Sequence, residues 1–358
     1  MKKSKLRILI SMSLIVNILT PMSSLAEQVE DEQTNNQLEI GSFPTSDEDE
    51  IPNGEEIEAS NELDEDLLDE EYSLDENAKI SEAQFEENTE ILDDESELRV
   101  TDSTIVDSGQ IEAGEWVFYS DGKLVMEGIV RKEDRSLWAK HSNSIKSIDF
   151  YRVDFYGSLS SFFTPYGNLE SVDFRNSDLK GVTSMSSAFE GLITLEKVSF
   201  KDVWHSTSLL TNMDEMFLGC SNLSELDVSG LNTSEVTNMG AMFYNCISLT
   251  ELDVSGFDTS EVTNMGAMFQ GCSGLTELDV SGFDTSQVTD MGYMFYGCSG
   301  LTELCVSGFD TSPVTNMGRM FYGCRGLTEL DVSEFDTSEV ADMGYMFYNC
   351  SGLTELDV

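Results

Sequence analysis

Leu275-Thr-Glu277-Leu278-Asp279-Val280-Ser-Gly282-Phe283-Asp284-Thr285-Ser286-Gln-Val-Thr289-Asp290-Met291-Gly-Tyr-Met294-Phe295-Tyr-Gly297-Cys298 decides the fold, because it returns almost unchanged along the last third of the chain. Its closing cysteine recurs at Cys220, Cys246, Cys272, Cys298, Cys324 and Cys350, always 26 residues apart. A fixed period in the twenties marks a solenoid, in which each repeat buries its apolar face only against its neighbours. An extended, repeated surface is therefore expected rather than a single enclosed pocket.

Within one unit, Leu278-Asp279-Val280 alternates as a strand does, with Leu278 and Val280 inward and Glu277 and Asp279 outward. Gly282 ends the strand, Phe283 turns in, and Asp284-Thr285-Ser286 turns the chain by bonding its own backbone. Thr289 is placed to cap a short helix. Met291, Met294 and Phe295 fall at i, i+3 and i+4, the spacing of a one-sided helical stripe, and Gly297 closes it. The expected fold class is therefore α/β: a leucine-rich-repeat-like solenoid with one parallel strand and one short helix per repeat.

Working outward, the apolar-x-x-apolar-x-apolar pattern begins before the first cysteine. It appears as Ile145/Ile148/Phe150, Leu169/Val172/Phe174 and Leu195/Val198/Phe200, then runs from Leu223/Leu226/Val228 to Leu353/Leu356/Val358. The solenoid is expected over 145–358, degenerate over 145–219 and regular over 220–358. Residues 101–144 read as a small β cap. There, Glu115–Tyr119 and Leu124–Val130 flank an Asp121-Gly122 turn, with Trp116 and Trp138 as its core. Residues 27–100 are dominated by Asp and Glu, with Lys79 and Arg99 the only basic residues, and read as a disordered acidic spacer. At 1–26, Lys2, Lys3, Lys5 and Arg7 precede an apolar run and Ser24-Leu25-Ala26, the pattern of a signal peptide cleaved after Ala26. The run is too short to span a bilayer. The mature chain is expected to be secreted or at the cell surface, with no transmembrane segment.

The unit Leu-x-x-Leu-Asp-Val-Ser-x-Phe-Asp-Thr-Ser-x-Val-Thr-x-Met-x-x-Met-Phe-x-x-Cys, whole from Leu275 to Cys298, resembles the repeat of BspA-type leucine-rich repeat bacterial surface proteins. The likeness is close over 220–358 and loose over 145–219. It implies an exported or surface protein, often associated with adhesion to host matrix or other cells, and it does not imply an enzyme. No Leu-Pro-x-Thr-Gly sorting signal is found and Val358 falls inside a repeat, so the sequence reads as truncated at its C-terminus.

Charge narrows the partners. The 68 Asp and Glu against 19 Lys and Arg give a formal net charge of −49, which opposes nucleic acid and anionic lipid alike. Histidine occurs only as His141 and His205, which removes the commonest general base from the regular repeats. The cysteine column lacks the close spacing of a zinc site and reads as core, as do the methionines. Cys305 alone takes an outward strand slot, and is a candidate for pairing between molecules.

The outward slots define the candidate partner-binding face: Glu225 and Asp227, Glu251 and Asp253, Glu277 and Asp279, Glu303 and Cys305, Glu329 and Asp331. Strands about 4.8 Å apart would set like charges in two ladders. Their mutual repulsion is roughly 1–3 kcal/mol per neighbouring pair. Two readings stay open: a solubilising face whose Asp residues bond nearby Ser or Thr, or a face that binds a basic protein partner or Ca²⁺. No catalytic residue, cofactor or dedicated metal site is expected. The functional expectation is an exported interaction or adhesion protein, not an enzyme. The alternatives are an extracellular spacer and a glycan hydrolase using paired carboxylates.

Overall fold

The computed structural model describes residues 103–357. The expected signal peptide at 1–26 and acidic spacer at 27–100 lie outside the described residues. The strands are β1 (Ile105–Tyr119), β2 (Lys123–Val130), β3 (Ser147–Ser158), β4 (Ser171–Asp173), β5 (Asp178–Ser184), β6 (Lys197–Ser199), β7 (Glu225–Asp227), β8 (Glu329–Asp331) and β9 (Glu355–Asp357).

β1 and β2 are rich in β-branched and aromatic residues and pair antiparallel, with Trp116 opposite Met126 and Phe118 opposite Leu124. Their turn needs glycine: Gly122 has φ +91°, and a Cβ there would meet the Ser144 carbonyl oxygen at 2.7 Å. β2 also pairs parallel with β3, and the parallel stack continues through β4 and β6 to β7. Leu124, Ile148, Val172, Val198 and Leu226 consequently form one column across five levels. Trp116 and Trp138 are buried edge to face, and the Trp138 indole N–H donates to the Tyr166 hydroxyl at 2.8 Å.

Beyond the hairpin the chain winds as a parallel β-solenoid of about nine turns. In the coil that follows Cys272, Leu275, Leu278, Val280, Phe283, Val288, Met291, Met294, Phe295 and Cys298 are all buried. Each fully buried apolar side chain contributes about 1.5–3 kcal/mol, and a lone coil could not bury them. The phenylalanines stack from coil to coil, Phe269 on Phe295 at 5.7 Å and Phe295 on Phe321 at 5.7 Å, within 6° of parallel. A buried threonine column ties the coils polarly: the Thr285 hydroxyl donates to the Asp310 carbonyl at 3.0 Å, and Thr233, Thr259 and Thr311 do likewise one coil on.

The short helix expected in each repeat is not there. Among the described residues the helical elements are two 3-10 turns in the cap, Lys132–Leu137 and Ala139–His141. Residues 290–298 instead form a ribbon of tight turns. The N–H groups of Met291, Tyr293, Phe295 and Gly297 donate to the carbonyls of Asn316, Gly318, Met320 and Tyr322 in the next coil. The intervening Met294, Tyr296 and Cys298 bond back three residues within their own coil. Tyr293 and Gly297 have φ of +59° and +73°, a left-handed residue every fourth position that no α-helix tolerates. Placing Met291, Met294 and Phe295 inward therefore has two backbone solutions, and hydrogen bonding to the neighbouring coil selects the ribbon.

The strand also differs from expectation. Among the regular coils the ladder forms at β7, β8 and β9, whereas 251–253, 277–279 and 303–305 form no strand. Leu252, Leu278 and Leu304 still point inward there. Glu329 and Glu355 do face each other across β8 and β9, so like charge alone does not set the gap.

Candidate interaction face

Local turn chemistry fixes the acidic slots. Asp253 Oδ1 accepts the Ser255 backbone N–H at 3.0 Å and its hydroxyl at 2.6 Å. Asp227 with Ser229, Asp279 with Ser281, and Asp331 with Ser333 repeat the motif. The serine hydroxyl first, and the serine N–H second, hold the carboxyls of Asp253, Asp279 and Asp331 below the usual carboxylate range. This column is committed to closing the turn after the strand slot.

The glutamate column is different. Glu225 pairs with Lys197 at 2.6 Å, and one level earlier Lys146 pairs with Glu170 at 2.9 Å. Past Glu225 no lysine or arginine pairs with this column among the described residues. Glu251, Glu277, Glu303 and Glu329 are exposed, and their carboxylates make no hydrogen bond or ion pair among the described residues. The strand slots thus separate in role: Asp227, Asp253, Asp279 and Asp331 hold turns, Glu225 is paired, and the carboxylates of Glu251, Glu277, Glu303 and Glu329 stand free among the described residues. Between 250–253 and 276–279, where no strand ladder forms, lies an open cleft of about 400 Å³ flanked by Glu251, Asp253, Glu277 and Asp279. Among the described residues no three His, Cys, Asp or Glu side chains converge where a metal ion could sit.

Cys305 is exposed, its sulfur 3.6 Å from the Ser307 hydroxyl in the position an aspartate takes elsewhere. Cys220, Cys246, Cys272, Cys298 and Cys324 are buried, and Cys350 is half-buried. Burial pushes the thiols of Cys220, Cys272 and Cys324 up to about 12.

Sequence reasoning missed an amide column at the start of the ribbon. Asn264 Nδ2 donates to Asn238 Oδ1 at 3.1 Å, and Asn316 Nδ2 to Asp290 Oδ1 at 2.9 Å. Each of these residues also caps the backbone N–H two positions on, as Asp290 does for Gly292 at 2.8 Å. The recurring Asn/Asp-Met-Gly triplet was the available signal, since Asn and Asp side chains bond their own backbone two residues later.

Comparison with known proteins adds a family. The family model described as "Mycoplasma protein of unknown function, DUF285" matches residues 157–277, 183–303 and 272–356. Together these overlapping matches take in more than half of the 358 residues. No curated protein matches. Among solved structures, the chain is similar to one from the Toll–Spätzle complex of Drosophila, at 17% identity and a TM-score of 0.38, over 63% of this chain and 29% of that one. It is similar to a leucine-rich repeat protein from Eubacterium ventriosum, at 13% identity and a TM-score of 0.22, over 70% of this chain and 84% of that one. It is similar also to a leucine rich cell surface protein from Faecalibacterium prausnitzii, at 13% identity and a TM-score of 0.20, over 70% and 94% of the respective chains. The chain spans less than a third of the Drosophila chain. Among the described residues no helix is long and apolar enough to cross a membrane.

Proposed function

The chain belongs to the DUF285 family, and from that premise we propose that it is an exported interaction protein of the BspA type, acting at or outside the bacterial surface. Its partner on this reading is a protein with a basic surface, from host matrix or another cell, and it performs no catalysis. The observation that carries the proposal is the unpaired glutamate column: Glu251, Glu277, Glu303 and Glu329 stand outward on consecutive coils with no compensating cation among the described residues. A partner that supplied lysines or arginines at coil spacing would pair with these carboxylates and relieve their mutual repulsion. The charge pattern also steers encounter, so the effect belongs largely to the association rate and weakens with salt.

The test is binding of purified chain to immobilised matrix proteins by surface plasmon resonance, at low and high salt. The triple variant Glu251→Gln, Glu277→Gln, Glu303→Gln should slow association severalfold and flatten the salt dependence. Binding that ignores both the substitutions and the salt would remove this face from the function. The aspartates are poor test positions, because each also closes a turn.

A further inference from the structure

The outward side of the turn ribbon carries a patch of opposite chemistry. Over the last three coils its two outward columns read Tyr293, Arg319, Tyr345 and Tyr296, Tyr322, Tyr348, with no carboxylate in either. Arg319 lies between two rings, its guanidinium carbon 5.3 Å from the Tyr293 centroid and 5.2 Å from that of Tyr345. Its Nη1 donates to the Tyr293 hydroxyl at 2.6 Å, the one hydrogen bond its side chain makes among the described residues. The neighbouring column is a stack: Tyr296 on Tyr322 at 4.7 Å and 10°, Tyr322 on Tyr348 at 5.1 Å and 24°. Arg319 and Arg325 are the only Lys or Arg residues after Lys201.

From this geometry we infer that the Tyr–Arg ridge is a second docking surface, for a protein partner that presents a carboxylate ringed by apolar side chains. It goes beyond the acidic face and does not depend on it. A guanidinium carries five N–H donors in a planar fork. Held between two rings and anchored by one bond, the Arg319 fork is already oriented for a two-point grip on a carboxylate. Tyr and Arg are the residues in which interface binding energy concentrates, whereas Glu and Asp, which fill the strand face, are depleted in interface cores. The surrounding charge adds specificity: in a chain of net charge −49, an acidic group is repelled elsewhere and accepted at this ridge.

Ring geometry selects a protein over a glycan. A sugar ring packs on an open aromatic face, and in the Tyr296–Tyr322–Tyr348 column both faces of Tyr322 and one face of each outer ring are spent on stacking. What the column offers outward is ring edges and phenol hydroxyls, which suit side-chain packing and hydrogen bonding by a protein surface.

The experiment probes the whole chain against an array of synthetic peptides in which carboxylate and apolar content vary independently, with hyaluronan as an anionic glycan arm. Binding should require a carboxylate and apolar neighbours together. Arg319→Lys, which keeps the charge and loses the planar stacked fork, should weaken it by at least about tenfold. Tyr348→Ser, at an exposed position that leaves the core untouched, should weaken it as well. Glu277→Gln should leave it unchanged, which separates this surface from the acidic face. The inference is overturned if no peptide binds, if Arg319→Lys and Tyr348→Ser bind as the parent does, or if hyaluronan binds in an Arg319-dependent way.

Discussion

Cys298 Sγ donates to the Phe269 carbonyl oxygen 3.0 Å away in the preceding coil. The same bond joins Cys220 to Phe189, Cys246 to Phe217, Cys272 to Phe243, Cys324 to Phe295 and Cys350 to Phe321. The thiol therefore does two things at once: it fills the core, and it ties its coil to the preceding one through a carbonyl that also accepts a backbone N–H of its own coil, as Phe269 does from Cys272.

Reactivity should follow that arrangement. With a disulfide reagent at mildly alkaline pH, the exposed Cys305 should react at once and the half-buried Cys350 slowly. The five buried thiols should react only on unfolding, because desolvation holds them protonated. Counting released thiolate against time checks this. Rapid release from more than two thiols in the folded chain would contradict the column.

A second prediction turns on the ribbon's backbone. Ala267 has φ +56°, where an L-residue is strained and glycine is not. Ala267→Gly should raise the thermal midpoint or leave it unchanged, with a gain of up to about 1 kcal/mol. In a helix the same change would cost about 1 kcal/mol, so the sign of the shift in a melting experiment separates the two backbones.

The amide column offers a third. Asp290 accepts from Asn316 but has no N–H to give to Asn264, so the column breaks between those two coils. Asp290→Asn should supply the donor while keeping the cap on Gly292. The expected gain is about 0.5–1 kcal/mol at this half-buried site. Chemical denaturation of the two proteins measures it, and a loss of stability would show that the carboxylate is needed.

Acid should loosen the N-terminal hairpin. Lys140 foremost, then His141, hold the Asp107 carboxyl down to about 2, with contacts of 2.7 and 2.8 Å. The folded value lies below the unfolded one, so the stabilisation is complete above about pH 4 and fades as the pH falls towards 2. Asp107→Asn should lower the melting temperature at about pH 6, by a margin that shrinks steadily as the pH falls to about 2. A gap between the two proteins that persists undiminished in acid would assign the loss to something other than this charge.

Much of the architecture was legible. Residues spaced 26 apart must be equivalent, so Leu278, Met291, Phe295 and Cys298 identify the core of every coil. The helix was misread because inward positions at i, i+3 and i+4 serve a ribbon with a left-handed residue every fourth place equally well. Gly292, Gly297 and the Asp290 cap were the clues against it, since glycine weakens a helix and Asp favours its end. On the strand face, alternation places Glu277 and Asp279 outward, yet only the serine at 281 tells the two apart. The ridge at Arg319 went unseen for a different reason. Arg319 interrupts the column that Tyr293 and Tyr345 share, and its seat between their rings depends on stacking between coils that pattern alone does not describe.

The bonding between coils is uneven around each turn. The ribbon is sewn at every level, Met291 to Asn316 and Met317 to Asp342 among the stitches, while the opposite edge is unsewn around the cleft at 250–253 and 276–279. Load along the axis therefore falls on the ribbon together with the buried threonine and cysteine columns, and the strand face around the cleft carries the least of it.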